Sequence, residues 1–302
     1  MHQYLSIDIG GTEIKSALID HSGRIIRKDS RPTPRTQGDF LGVIDQLAAA
    51  SQDQISAVCV SVPGIVAQDR TTVQFPGALS FMGTYDLGGH VEKQTGLPVY
   101  VGNDANCASL AELWLGGLQE VQNGAVITLG TSVGGGLVIN GRPFLGSHFQ
   151  AGELGALINN YDAEDPRQAT AAASGSAVKM VARIAQACGL PDLKDGRRVF
   201  QEIKTHNPLA WPIFEEFCRR IAGLIVSIQS VVDLEKILIG GGISAQPIVI
   251  KEIRRQFDRL LAQDRRLRVD IVPPEIAAAT FGNEANLLGA LYGHLLRLDG
   301  EE

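Results

Sequence analysis

Several short clusters combine carboxylates, glycines and hydroxyls at spacings suited to handling an anion. Asp8 ends an alternating apolar stretch. Gly10-Gly11-Thr12 follows it, and Lys15 lies three residues further on. A glycine turn lets backbone N–H groups approach a ligand, because no Cβ intervenes. Successive N–H groups in such a turn form an anion nest. Thr12 would add a hydroxyl and Lys15 a cation. Asp8 could hold Mg²⁺ through water, since that ion prefers oxygen ligands and keeps much of its hydration. Gly130-Thr131-Ser132 repeats the arrangement, and Gly240-Gly241-Gly242 closes a third apolar stretch. The reading is a pair of phosphate loops; the structural alternative is a pair of wide hairpin turns.

Two more acids stand out. Asp104, in Asn103-Asp104-Ala105-Asn106, falls between a strand pattern and a helix pattern. An open α/β sheet presents groups to a ligand at that position. Phosphoryl transfer to an alcohol needs a carboxylate that takes the hydroxyl proton. Asp104 would serve as that general base, or it could simply cap the helix. Glu153, in Ala151-Gly152-Glu153-Leu154-Gly155, is a lone acid among apolar and glycine residues. It could accept hydrogen bonds from vicinal sugar hydroxyls, or be a plain loop acid.

The elements that must position these residues follow from periodicity. Residues 5–20 read strand, glycine turn, strand, and a third strand is expected at 24–28. Apolar spacing at Leu41, Ile44, Leu47 and Ala48 predicts a helix over 40–50. Strands are expected at 55–62 and 98–101, with helices over 87–95 and 105–115. The stretch 72–86 shows no clear period. Residues 125–140 lay over residues 5–20 at an offset of 120, matching Ile7 with Ile127, Gly10 with Gly130 and Thr12 with Ser132. Such a match is the pattern of two related α/β domains. Beyond it come a loop at 143–153, an irregular stretch at 159–167, and helix over 174–228 broken near Pro191 and Pro208. Then follow a strand at 236–239, a helix over 247–262, a strand at 269–272 and a last helix over 286–298.

Composition narrows the function. The chain has 302 residues, 44% apolar, with 34 glycines and a net charge of −6. Two domains of an ordinary globular protein fit that length, and no nucleic-acid footprint is expected. Arg265-Arg266-Leu267-Arg268 reads as a solvated helix end. No signal peptide and no stretch long enough to span a membrane are apparent, so a cytoplasmic protein is expected. Cys59, Cys107, Cys188 and Cys218 form no CxxC pair and read as buried thiols, without a zinc or disulfide framework. There is no GxxxxGK[ST] motif and no strand-GxGxxG-helix signature, which argues against a P-loop NTPase and a dinucleotide site.

DIGGTEIKSALID, VGNDANCASLAELWLG, ITLGTSVGGGLVINGRPFLG and AGELG, in this order, resemble the ROK family of bacterial sugar kinases and repressors. The resemblance covers essentially the whole chain. It implies an α/β actin/hexokinase-like ATPase fold of two domains with a central cleft: residues 1–117 with the C-terminal helix 286–302, and residues 118–285. By resemblance Gly10, Gly11, Thr12, Gly130 and Thr131, with Ser132 beside them, would contact ATP phosphates. Gly241 and Gly242 would lie beside the adenosine. Asp104 would be the catalytic base, Asn103 and Glu153 would meet sugar hydroxyls, and Gly64 would line the same cleft. ATP and Mg²⁺ are the implied cofactors, a small sugar the partner, and a homodimer the expected assembly.

The chain departs from the family in three places. Many members follow the glutamate motif with a histidine and a cysteine-rich zinc loop. Here AGELG continues as Ala156-Leu157, and residues 158–173 contain no cysteine, so no zinc site is expected. The stretch FPGALSFMGTYDL replaces the Asn-Leu pattern of glucokinase-like members. With ATAAASGSAV it resembles the zinc-lacking members, among them β-glucoside kinases. The family's repressors carry an added helix-turn-helix domain, for which no room is expected before the first strand at about Tyr4. An ATP-dependent kinase for a hexose, hexosamine or glucoside is the leading expectation. The alternatives are a catalytically silent sugar-binding regulator and a non-sugar kinase of the same fold, such as an acyl-phosphate kinase.

Overall fold

The computed structural model describes residues 3–300. It begins with a three-stranded meander: β1 (Gln3–Ile9), β2 (Glu13–Asp20) and β3 (Ile25–Pro32). β1 and β2 pair antiparallel from Gln3↔Asp20 to Ile9↔Ile14, so the glycine turn interrupts a true hairpin. Helix α1 (Gln37–Ala49) starts where the Thr36 side chain accepts from the Asp39 amide, a cap that ties down one of the helix's orphan donors. Strand β4 (Ile55–Val62) is apolar almost throughout, as a strand covered on both faces must be.

Residues 65–86, which include the stretch 72–86 without a clear period, form a small three-stranded sheet: β5 (Ile65–Val66), β6 (Thr72–Gln74) and β7 (Thr84–Asp86). Its strands are only two or three residues long, too short for alternation to register. Helix α2 (Leu87–Thr95) is capped by Asp86 and stopped by Gly96 at φ 67°. Strand β8 (Val99–Asn103) then runs directly into helix α3 (Asp104–Leu115).

The second hairpin gives β9 (Gly124–Leu129) and β10 (Val133–Ile139), followed by the short β11 (Arg142–Phe144). The helical region resolves into α4 (Ala171–Ser174), α5 (Ala177–Ala187), α6 (Gly196–Lys204) and α7 (Trp211–Val232). Strand β12 (Lys236–Gly240) leads to α8 (Pro247–Gln263), α9 (Arg265–Asp270), β13 (Glu275–Ala278) and α10 (Ala285–Asp299).

The strand expected at 269–272 is absent. Asp264 accepts from the Arg266 amide and starts α9, which takes up Val269. The place beside β12 goes to β13, paired parallel from Lys236↔Glu275 to Ile239↔Ala278. The Arg265–Arg268 run is therefore a short exposed helix of its own rather than the end of α8. Among the cysteines, Cys59, Cys107 and Cys218 are buried as expected, but Cys188 is only half-buried because it caps the end of α5.

Two five-stranded sheets organise the chain, in the orders β3-β2-β1-β4-β8 and β11-β10-β9-β12-β13. The orders match strand for strand. Each sheet places a hairpin beside two further strands that run parallel to the hairpin's first strand. The chain divides into two compact units. The first comprises the chain up to Gln122, Gly136–Gly152 and the chain from Asn283 onward. The second comprises Asn123–Gly135 and Glu153–Gly282.

The core of the first unit gathers Ile7, Ile9, Ile14, Phe40, Ile44, Val60 and Leu87, all at most 1% exposed. Helix α10 returns to that unit and packs on α3, β1, β4 and β8. Gly289 makes the contact close, since a Cβ there would sit 1.6 Å from the Cys107 carbonyl oxygen.

Candidate active site

In the first unit, β1, β4 and β8 are parallel neighbours in register, with Asp8 opposite Ser61 and Ser61 opposite Gly102. Their carboxyl ends therefore deliver the Gly10 turn, Pro63-Gly64 and Asn103-Asp104 to one edge of the sheet. This is the edge where open α/β sheets bind ligands.

Asp8 is 8% exposed and well tethered. Its Oδ1 accepts from Ser61 Oγ at 3.2 Å and from Asn286 Nδ2 at 3.0 Å, and its Oδ2 faces Lys15 Nζ at 4.0 Å. Burial pushes its carboxyl above the ordinary range, while Asn286, Lys15 and Ser61 pull the other way. Ser61 and Asn286 were not singled out from the sequence. Ser61 lies inside an apolar strand pattern, and Asn286 is 278 positions from Asp8 with only a helix start to mark it.

The Gly10 turn is closed by its own backbone: the Gly10 amide donates to the Glu13 carbonyl at 2.9 Å. The N–H groups of Gly11 and Thr12 form the crown of the turn. Thr33 braces it from β3's end, its Oγ1 donating to the Gly10 carbonyl at 2.7 Å and its amide to the Thr12 carbonyl at 2.9 Å. A Cβ on Gly11 would meet Ala78 Cβ at 3.2 Å.

Asn103, not Asp104, caps α3. Its Oδ1 accepts from the amides of Ala105 and Asn106 at 2.9 and 3.2 Å, while its Nδ2 donates to the Gly64 carbonyl at 3.0 Å. The cap role weighed for Asp104 thus belongs largely to its neighbour. Asp104 stands as the first helical residue, partly buried, with Oδ1 2.8 Å from the Ala105 amide. The Cys107 thiol, fully buried, is pushed far up by desolvation and then by the charges of Asp104 and Asp8. Gly64 is fixed by packing: φ is 122° and a Cβ would sit 2.3 Å from the Gln74 carbonyl oxygen.

In the second unit, the Gly130 turn repeats the device, with the Gly130 amide donating to the Ser132 carbonyl at 3.0 Å. Thr131 and Ser132 are exposed. A Cβ on Gly130 would meet nothing within 4 Å. β12 runs parallel to β9, with Gly240 opposite Thr128, so Gly241-Gly242 leaves the sheet beside the Gly130 turn. The two glycines differ. Gly241 has φ 93° and would clash with the Leu129 carbonyl at 2.2 Å, whereas a Cβ on Gly242 would face open space.

Glu153 precedes a single 3₁₀ turn, Leu154–Ala156. Gly152 enters it at φ 88°. Gly155 seats it on the second glycine turn, where a Cβ would lie 2.5 Å from the Val133 carbonyl and 3.3 Å from Ser132 Oγ. The structure thereby brings Glu153 and Ser132 into one neighbourhood. Glu153 is exposed, yet nearby protein desolvates its carboxyl and raises it above its ordinary value, a shift that the exposure limits.

Two α/β sheets of equal order, each with a glycine turn after its first strand, make this an actin/hexokinase-like ATPase fold. Within that class the chain belongs to the ROK family, whose pattern matches residues 4–294. A β-glucoside kinase of Listeria innocua is 32% identical to it over 293 residues, covering 96% of both chains. Among solved structures, a ROK family protein of Streptococcus pneumoniae in complex with sucrose superposes with a TM-score of 0.87 at 31% identity, covering 99% of both. A ROK family glucokinase of Streptomyces griseus, in complex with glucose and AMPPNP, gives 0.84 at 27% identity over 98% of this chain and 99% of that one.

Proposed function

We propose that the protein is an ATP-dependent kinase of glucose-type sugars, including β-glucosides, with Asp104 as general base. The observation that carries this reading is the division of labour at the exit of β8. Asn103 occupies the cap of α3 and clamps Gly64, and the next residue, Asp104, sets a partly buried carboxylate at the same sheet edge as Asp8. A carboxylate there suits proton transfer. Asp104 accepts the proton of the sugar hydroxyl as its oxygen bonds to the γ-phosphorus; the bond from that phosphorus to the β-phosphate bridging oxygen breaks, and ADP leaves. The proton then passes from Asp104 to solvent. The kinase names of the relatives support the same class.

Both glycine turns use their first amide internally. Phosphate donors would therefore be the amides of Gly11 and Thr12 and those of Thr131 and Ser132, while Gly10 and Gly130 let the chain come close. Gly241 shapes the bend after β12, and Gly242 would lie against the adenosine. Lys15 balances charge at Asp8. Glu153 would accept from sugar hydroxyls, and Asn103 would hold the frame and offer its remaining N–H.

The acidic donors fit a Mg²⁺ bound chiefly by water and nucleotide phosphates. Among the described residues no group of three or more histidines, cysteines or acids is arranged to hold a metal ion by itself, and Asp8 supplies a single carboxylate edge. When bound, Mg²⁺ would neutralise developing charge on the phosphates. No helix among the described residues is long and apolar enough to cross a membrane. We place the protein in the cytoplasm and expect a homodimer.

The test is ADP release with ATP and Mg²⁺ over glucose, N-acetylmannosamine, N-acetylglucosamine and cellobiose. Turnover on glucose or cellobiose is expected. No turnover on any of the four would favour the silent-regulator reading.

A further inference from the structure

One 3₁₀ turn beyond Glu153, the chain exposes three large apolar side chains within five residues. Leu157 is 41% exposed, Ile158 45% and Tyr161 88%. Scattered apolar side chains on a surface need no explanation, but three exposed within five residues directly after a candidate binding group invite one. The run from Leu154 to Tyr161 carries no charge, and the first ionisable group after it is Asp162.

The segment is also held in place. Ile158 bridges to Thr170, and the amides of Asn159 and Asn160 both donate to the Ala169 carbonyl, at 2.9 and 3.1 Å. The Ala171 amide donates to the Leu157 carbonyl at 2.8 Å, and Asn159 Nδ2 donates to Ser174 Oγ at 2.7 Å. Fixing backbone costs entropy, and here the fixed backbone presents apolar groups to solvent.

The turn itself is closed by the Ala156 amide on the Glu153 carbonyl and the Leu157 amide on the Leu154 carbonyl. At about 2 Å of rise per 3₁₀ residue, Leu157 begins roughly 8 Å from Glu153 along the chain. That spacing suits a ligand longer than one sugar ring.

We propose that residues 157–161 form the subsite for the aglycone of a β-glucoside, with Tyr161 as its stacking residue. The proposal rests on the sugar-kinase reading and on Glu153 holding the first ring. An uncharged surface favours an uncharged aglycone. The exposed phenol ring offers a face to an aromatic aglycone or to the C–H-rich face of a second pyranose. Leu157 and Ile158 would cover the edge of either one.

The experiment compares kcat and KM for glucose, cellobiose and phenyl β-glucoside in the wild type, Tyr161→Ala, Tyr161→Phe and Leu157→Ser. Tyr161 is so exposed that its replacement leaves folding intact. Tyr161→Ala should raise KM for phenyl β-glucoside by roughly two- to tenfold, the range of an aromatic stacking contact, and leave glucose unchanged. Tyr161→Phe should keep the wild-type value, and Leu157→Ser should shift the glucosides in the same sense as Tyr161→Ala. Phosphorylation of sugars with an unaltered glucoside-to-glucose ratio in Tyr161→Ala would overturn the subsite and spare the kinase reading. So would wild-type turnover of glucose with none of the glucosides. A chain that phosphorylates no sugar would overturn both.

Discussion

At the scale of single residues, the two buried or half-buried carboxylates at one sheet edge call for different tests. Asp104→Asn keeps shape but cannot take a proton, so kcat should fall by about 10²- to 10⁴-fold with sugar affinity little changed. Turnover kinetics with equilibrium sugar binding check this, and a near-wild-type kcat would remove Asp104 as the base. Asp8 is read through stability. Its folded-state carboxyl is raised, chiefly by burial. The unfolded chain therefore loses this proton first, and stability drains away as pH rises through the folded-state value. Asp8→Asn removes that burden. Its melting temperature should match the wild type at acid pH, where both side chains are neutral, and exceed it at pH 8, although activity is lost. A variant less stable than wild type at pH 8 would show that Lys15, Asn286 and Ser61 outweigh the burial.

The glycines divide along similar lines. Gly241→Ala forces a side chain into φ 93° and against the Leu129 carbonyl, so it should lower the melting temperature. Gly242→Ala meets nothing in the protein and should leave the melt alone while raising KM for ATP. Thermal melts beside ATP titration of both variants decide it. Equal effects on both measurements would remove Gly242 from the nucleotide site.

At the scale of elements, periodicity was a good guide wherever a strand or helix was long. The hairpin at residues 5–20, the strand at 55–62 and the helix at 87–95 stand close to where the sequence places them. The candidate acids were legible because each ends an apolar run or sits alone among glycines. Long-range partners were not. Asn286 reaches Asp8 only because α10 docks on β1, and no local pattern records that. The failure at 269–272 has a local cause: Val269, Ile271 and Val272 imitate a strand, but Asp264 has already begun a helix.

Helix contacts give a matched prediction. Gly289→Ala would press a methyl group on the Cys107 carbonyl and should cost about 1–3 kcal/mol or more by overpacking. Gly42→Ala, inside α1 with nothing within 4 Å, should add roughly 0.5–1 kcal/mol. Urea unfolding of the two variants should therefore move in opposite directions, and a neutral Gly289→Ala would mean that α10 and α3 separate more readily than their spacing implies.

At the scale of the whole molecule, the first unit is discontinuous: its sheet comes from the beginning of the chain and one of its covering helices from the end. Helix α10 brings five buried leucines, Leu287, Leu288, Leu291, Leu295 and Leu296, together with the Asn286 amide on Asp8. At about 1.5–3 kcal/mol for each buried leucine, the helix contributes on the order of 10 kcal/mol. That is comparable with the entire stability of a typical domain, roughly 5–15 kcal/mol. Ending the chain after Gly282 should therefore abolish the cooperative melt of the first unit and expose β1, β4 and β8 to proteolysis. The second unit, Asn123–Gly135 with Glu153–Gly282, has no residue after Gly282 and should stay resistant to digestion outside the intervening Gly136–Gly152 stretch, which belongs to the first unit. Limited proteolysis with mass spectrometry, run beside circular dichroism melts, reads both halves of the outcome. A truncated chain that kept the wild-type melt and the wild-type cleavage pattern would show that the first sheet is stable without the helix covering it, and that Asp8 needs no anchor from the far end of the chain.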